Sequence, residues 1–211
     1  PLTIPWAVEK IPAIVEAWQL GTQTGNAIAQ VLYGDYNPSG KLPMSFPRNV
    51  GQCPIYYNHY ATGRPTNSEN NVFWSHYSDS ENTPQFPFGF GLSYTTFAYK
   101  NMTISKNTFK KGEPISVSVE VSNTGNCDGK EVVQLYIQDV AGSLARPLKE
   151  LKGFELTELK KGETKTISFT LTNKELGFFD NDGNYLIEAG RFKIWVGGSS
   201  DTGLEGKFEV E

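Results

Sequence analysis

From Ala98 to Glu211 the chain alternates apolar and polar residues with a period of two, segment after segment. The runs are ISVSVEVSN (115–123), EVVQLYIQD (131–139), TKTISFTLT (164–172) and RFKIWVGG (191–198). A period of two sends successive side chains to opposite faces of an extended backbone, so each run predicts a half-buried strand. Val117, Val119 and Val121 are expected on one face, with Ser116, Ser118 and Glu120 on the other. Turn residues separate the runs at Lys111-Gly112, Asn123-Thr124-Gly125, Lys161-Gly162, Asp182-Gly183 and Ala189-Gly190, where glycine supplies the positive φ of a tight turn. About seven strands in about 114 residues is the size of a two-sheet β-sandwich. Phe192 and Trp195 are expected in or beside its core, because large rings contribute most to burial.

The character of the chain is different before Phe97. Short apolar runs alternate there with Gly- and Pro-rich turns: PLTIPW and AIVEAW read as short strands, and KLPMSF as a further extended segment. GNAIAQVLYG has helical spacing through Ala27, Ile28, Val31 and Leu32, and Gly34 is placed to end the helix. Strand, loop and helix in that order make one βα unit. One such unit cannot cover both faces of a parallel sheet, so the rest of this α/β domain is expected before Pro1.

Between the two parts lies FPFGFGLSYTTF (86–97), with aromatic rings interleaved with Gly, Pro, Ser and Thr. Gly89 and Gly91 let backbone approach closely while the rings pack. The run reads either as a buried connector entering the next strand or as a wall of a site at a domain seam. Residues 62–84 are rich in Asn, Ser, Thr, Glu and Pro and read as loops. Their VFWSHY core requires Phe73, Trp74 and Tyr77 to be buried against a domain surface.

Composition excludes several function classes. A formal net charge of -4 with dispersed Lys, Asp and Glu does not suit nucleic acid. No apolar stretch approaches the roughly 18 residues of a membrane span. The start, PLTIPW, has no initiator Met and no export signal, which reads as a processed or truncated chain. Cys53 and Cys127 are far apart and are expected as isolated thiols. His59 and His76 lack metal-ligand spacing, and neither a GxSxG elbow nor a phosphate-binding glycine loop occurs, so no metal or cofactor is expected. Asp180-Asn181-Asp182-Gly183 looks like part of a calcium loop but lacks the later bidentate Glu, and a hairpin turn explains it better. Asn101-Met102-Thr103 matches a glycosylation sequon, expected to be accidental.

The ordered motifs GDYNPSGKLPMSFPR (34–48), GQCPIYYNH (51–59), TGRP (62–65), PQFPFGFGLSYTTF (84–97), GKEVVQLYIQD (129–139), RPLKELKGFE (146–155), GETKTISFTL (162–171) and FKIWVGGSS (192–200) resemble the C-terminal part of family 3 glycoside hydrolases. The flavour is that of bacterial periplasmic β-glucosidases. The resemblance implies a mixed fold, a partial α/β sandwich segment followed by an all-β fibronectin type III-like (immunoglobulin-like) sandwich. Its boundaries would be residues 1–61 for the α/β part, 62–97 for the linker and 98–211 for the sandwich.

It also implies a retaining mechanism, with nucleophile and acid/base carboxyls about 5 to 5.5 Å apart. Both belong to segments ahead of this chain, so no catalytic residue is assigned here and the chain alone is expected to be inactive. Glu16, Asp35 and Asp79 have ordinary explanations as a solvent-facing cap partner, a turn former and a loop hydrogen bonder. The loop Leu20-Gly21-Thr22-Gln23-Thr24-Gly25 departs from the family by placing Gln23 where Glu often stands. Trp18 to Gly25 would border a cleft if ligands sit at the strand end and helix start; otherwise the loop merely turns the chain.

Sugars present both C–H faces and hydroxyls, so an aromatic platform beside polar side chains suits them. Two clusters have that mixture: Tyr57, His59 and Arg64 with Tyr56 and Asn58, and Trp74, Tyr77 and Asp79 with His76. Interdomain packing would use the same residues. The expected partners are a β-linked oligosaccharide or glycoside in the complete protein, and the N-terminal barrel and α/β portion. Self-association is plausible through an exposed α/β seam, and location is expected to be periplasmic or secreted. The rival reading is a non-catalytic carbohydrate-binding or structural interaction module.

Overall fold

The alternating runs form strands in the computed structural model, which describes residues 1–61, 63–64 and 74–211; the run 115–123 alternates throughout, whereas the run 131–139 buries Val133 to Ile137 in succession. The strands are β1 (Phe97–Ile104), β2 (Thr108–Phe109), β3 (Ile115–Asn123), β4 (Gly129–Asp139), β5 (Glu150–Leu159), β6 (Thr164–Leu171), β7 (Phe178–Phe179), β8 (Tyr185–Leu186), β9 (Gly190–Gly197) and β10 (Leu204–Val210). One sheet runs β1-β3-β6 and the facing sheet β2-β10-β9-β4-β5, with β7 and β8 forming a small hairpin. All pairings are antiparallel except β10 with the two-residue β2. Seven strands are longer than two residues, and β3, β4, β6 and β9 among them are the four alternating runs.

The core lies between the sheets. Val117, Val119 and Val121 point into it, while Ser116 is exposed and Ser118 and Glu120 are half-buried on the other face. Leu135, Ile137, Leu159 and Ile194 close it from the facing sheet. Phe192 stacks on Phe208 at 5.2 Å, and Phe109 meets Phe208 edge-on at 5.9 Å. Burying one such side chain contributes about 1.5–3 kcal/mol. Trp195 points to the opposite face, where its Nε1 donates to the Glu205 carboxylate at 3.2 Å.

Asp180-Asn181-Asp182-Gly183 is the turn of the β7-β8 hairpin. The Asp180 carboxylate accepts from the backbone N–H groups of Asp182 and Asn184, and Gly183 holds φ +83°. The side-chain amide of Asn184 leads the effects that hold the Asp180 carboxyl below its usual value. Its oxygens are thus engaged in a local turn.

The N-terminal segment differs from the expected βα unit. Pro5–Lys10 is a helix, α1, not a strand. Pro5 stands at its first position, where a missing N–H costs nothing, and Val8 and Ile11 donate back to Ile4 and Ala7. Residues 13–18 form no strand either. No hydrogen-bonded neighbour lies beside them among the described residues, Trp18 takes φ +48°, and the Glu16 carboxylate turns back to accept from the Trp18 N–H at 2.9 Å. A strand without a partner leaves its N–H and C=O groups unpaired, which a periodic pattern alone does not reveal. The expected helix is present as α2 (Thr24–Tyr33), ended by Gly34 at φ +83°. Ile28 and Val31 are half-buried, whereas Ala27 and Leu32 are exposed. KLPMSF contributes one isolated bridge, Phe46 to Phe86.

Candidate functional site

The aromatic run 86–97 lies between the N-terminal segment and the sandwich. Its first half lies antiparallel to residues 42–46: Leu42 N donates to Phe90 O, Gly89 N to Leu42 O and Phe46 N to Phe86 O, each at 2.8 Å. Phe86 stacks on Phe90 at 5.2 Å and meets Phe46 at 6.3 Å, and Phe46 meets Trp18 edge-on at 6.3 Å. Phe88 turns the other way and stacks on Tyr57 at 4.2 Å; Tyr57 in turn meets Tyr136 of β4 at 5.9 Å. Gly91 faces Gly40 so closely that a Cβ would stand 2.4 Å from the Gly40 carbonyl oxygen. The run is therefore a connector, packed on residues 42–46 through one set of rings and on Tyr57 through Phe88.

Polar side chains pin the same junction. Gln134 of β4, buried within an apolar strand, donates through Nε2 to Gly89 O at 3.1 Å and Gly198 O at 2.7 Å, and its Oε1 accepts from the Tyr136 hydroxyl. Lys41 reaches Glu131 at 3.0 Å and also donates to Gly91 O, while the Tyr99 hydroxyl donates to Glu131 at 2.8 Å. Burial, followed by the Glu131 charge, pushes the Tyr99 hydroxyl far above its usual value, so it stays protonated as a donor. Asn37 accepts from Ser93 Oγ and Tyr94 N at 2.8 Å each and donates to Asp128 O at 2.9 Å. Buried polar groups satisfied on every side fix one relative arrangement of the pieces they join.

The candidate sugar-contact residues fall into two places. Trp18 is 51% exposed, with its ring edge against Phe46. Gln23 closes a 3-10 turn ahead of α2, and its Oε1 accepts from Asn26 Nδ2 at 2.8 Å. A surface depression of about 400 Å³ beside it is lined by Gln23, Asn26, Gln30 and Asp35.

Tyr57 and His59 instead face the sandwich. The Tyr57 hydroxyl accepts from Leu151 N at 3.3 Å, Leu148 N donates to His59 O at 2.9 Å, and Tyr60 bridges Pro147. Burial is the main cause of the raised Tyr57 pKa. Arg64 is exposed, and its carbonyl accepts from Ser75 N at 2.9 Å, which joins the first cluster to the second. Trp74 is half-buried, and Tyr77 and Asp79 are exposed. Their loop is held by Asn82, which accepts from Tyr77 N and donates to Ser75 O, and by Arg48, which pairs with Glu81 at 2.8 Å. Phe73 lies outside the described residues. Among the described residues no hydrogen bond or ring contact joins Trp18 or Gln23 to Tyr57, His59 or Arg64.

Sequence reasoning missed Gln134, Asn37, Lys41 and Arg146. The signal available for Gln134 was a polar residue at the centre of EVVQLYIQD. Glu16 is spent on a local turn. Cys53 and Cys127 are both free thiols. No group of three His, Cys, Asp or Glu side chains able to hold a metal ion occurs among the described residues.

A helix-bearing segment is thus locked by a glycine-aromatic strap to a sandwich of a three-stranded and a five-stranded sheet. Residues 1–94 match the Glycosyl hydrolase family 3 C-terminal domain, and residues 131–200 match the Fibronectin type III-like domain. The chain belongs to the family 3 glycoside hydrolases. It is 49% identical over its whole length to the periplasmic beta-glucosidase of Salmonella typhimurium, of which it covers 28%. It is 47% identical over 95% of its length to a beta-xylosidase of Formosa agariphila, covering 27% of that protein. The crystal structure of the Listeria innocua beta-glucosidase in complex with glucose superposes with a TM-score of 0.95 at 42% identity, covering 100% of this chain and 29% of that one. The chain thus spans less than a third of the length of these relatives. No helix among the described residues is long and apolar enough to cross a membrane.

Proposed function

We propose that this chain is the C-terminal part of a β-glucosidase-type exo-glycosidase that removes terminal β-linked sugars with retention of configuration. The observation that carries the reading is 49% identity across the entire chain to a periplasmic beta-glucosidase. In a retaining mechanism one carboxylate attacks the anomeric carbon while a carboxylic acid protonates the departing oxygen. Water then cleaves the glycosyl ester, giving its proton to the second carboxylate. We place both groups outside this chain, in the portion of the relatives that it does not cover.

The role of residues 1–211 is to hold and to edge the site. Residues 1–61 would complete the α/β domain, 62–97 would form the linker across the seam, and 98–211 would act as a buttress. Trp18, Gln23, His59, Arg64, Trp74, Tyr77 and Asp79 would stand at the rim, and Tyr57 would support it from below. The Lys41–Glu131 and Gln134–Gly89 contacts support the buttress role, because they couple the sandwich to the segment bearing these residues. By likeness to the Salmonella protein, the location would be periplasmic or secreted.

The test is hydrolysis of p-nitrophenyl β-glucoside and β-xyloside by the chain alone and by the chain mixed with the preceding region of its protein. Activity only after mixing is expected. Turnover by the chain alone would overturn the placement of the carboxylates, and inactivity of an associated mixture would favour a binding or structural module.

A further inference from the structure

Residues 146–151 of the sandwich grip residues 57–60 at three points: Pro147 bridges Tyr60, Leu148 N donates to His59 O, and Leu151 N donates to the Tyr57 hydroxyl. Two of these contacts use backbone N–H groups, so the grip depends on where the backbone of 146–151 lies rather than on its side chains. Arg146 fixes that position. Its side chain is only 13% exposed, and its Nη2 stands 2.9 Å from Glu150 Oε2 and its Nε 3.9 Å from Asp139 Oδ2. Its guanidinium carbon lies 4.4 Å from the centroid of the Phe178 ring. One planar cation therefore lies against the end of β4, the start of β5 and the β7-β8 hairpin at once, through one hydrogen bond to Glu150, the charge of Asp139 and the face of the Phe178 ring.

Beyond the grip, the chain runs from His59 to Arg64, whose carbonyl receives Ser75 N at the start of the Trp74–Asp79 loop. An exo-acting pocket holds the terminal sugar inside and leaves the departing group at the entrance, so residues of the rim meet the departing group. We propose that Arg146 is a positioning residue for substrate binding. Through the grip on residues 57–60 it sets where His59, Arg64 and Trp74 stand, and hence the affinity for the leaving-group side of a β-linked substrate. This rests on the glycosidase reading above.

The test uses the full-length protein with Arg146→Met, Arg146→Lys and, as a stability control in the core far from the grip, Val119→Ala. Kinetics are measured on a β-linked glucose disaccharide, together with hydrogen exchange at the amides of Leu148 and Leu151. Arg146→Met is expected to raise KM about tenfold with kcat within about twofold, since small misplacement at a site is costly. Arg146→Lys is expected to restore KM only partly, because a point charge does not replace the planar group's contact with the Phe178 ring. Both amides are expected to exchange faster in Arg146→Met, while Val119→Ala lowers the melting temperature and leaves KM unchanged. A wild-type KM in Arg146→Met, or an equal rise in Val119→Ala, would overturn the proposal. If the wild-type protein cleaves no β-glycoside, the glycosidase reading falls. Exchange then decides the grip alone, and unchanged protection in Arg146→Met sinks that too.

Discussion

Gln134 and Gly89 stand 45 residues apart in sequence, yet the side-chain amide of one donates to the carbonyl of the other at 3.1 Å. Gly89 holds φ +78°, and a Cβ there would stand 2.1 Å from Gln134 Oε1. The same side chain supports the Tyr136 hydroxyl and Gly198, so the strap and the sandwich have been fitted to each other at this point.

Gly89→Ala is therefore expected to destabilise the protein by about 3 kcal/mol or more. Left-handed backbone costs about 1–2 kcal/mol for a residue with a Cβ, and each hydrogen bond that Gln134 loses in moving aside costs about 1 kcal/mol. In the Gly89→Ala background, Gln134→Ala should cost less than it does alone, because the two changes damage one set of contacts. Urea unfolding of the four proteins reads the coupling directly. Simple additivity would mean that Gln134 and the strap are independent.

The Lys41–Glu131 pair supports a second prediction. Its side chains are 14% and 6% exposed at 3.0 Å separation, and removing one member of a buried pair strands the other charge at a cost of about 3–5 kcal/mol. Lys41→Met and Glu131→Leu are each expected to fall in that range, while the double variant should cost less than either single change. Thermal unfolding checks the order. High salt should change the coupling between the two residues little, because a mostly buried pair is screened much less than an exposed one.

The sandwich was legible because alternation is a local property: Val117, Val119 and Val121 need only a facing sheet to be buried, and the chain supplies one. Residues 13–18 carry an equally apolar pattern, but a strand also needs a hydrogen-bonding neighbour, which a local pattern does not contain. The Gly34 helix stop and the Gly183 turn were legible for the opposite reason, since positive φ is a demand that one residue answers by itself. The close approach at Gly89 was foreseen from the glycine. Its partner Gln134 was not, because spatial neighbours 45 residues apart leave no mark in periodicity.

At the rim, Trp18→Ala in the full-length protein is expected to raise KM for an aryl β-glucoside about tenfold if the ring lies against a sugar face, the loss of roughly 1.4 kcal/mol of binding. With half of its surface exposed, Trp18 contributes mainly an edge contact with Phe46 to stability, so the melting temperature should change little. Asp79→Asn keeps the shape and part of the hydrogen bonding and should have a smaller effect. An unchanged KM in Trp18→Ala, with the melting temperature lowered, would assign the ring to domain packing instead.

Asp139 provides a pH test of the cluster around Arg146. Burial pushes its carboxyl above the ordinary value of 3.8; the Ala141 N–H and the Arg146 charge pull it back, and Glu188 and Glu150 push it up again. With the folded pKa above the unfolded one, the native state holds a proton at pH values where the unfolded chain has released it. The resulting stabilisation is fully present below 3.8 and is lost as pH rises through the folded pKa. Asp139→Asn cannot ionise, so the stability of the wild type relative to this variant should fall as pH rises from about 4, by at most about 1.4 kcal/mol per pH unit. Urea unfolding of both proteins across the mildly acidic range measures the difference, with contributions from groups that do not interact with Asp139 cancelling. A wild type that gains on the variant with rising pH would show that the Arg146 charge outweighs burial, making the pair a net attraction rather than a desolvated contact held by its surroundings.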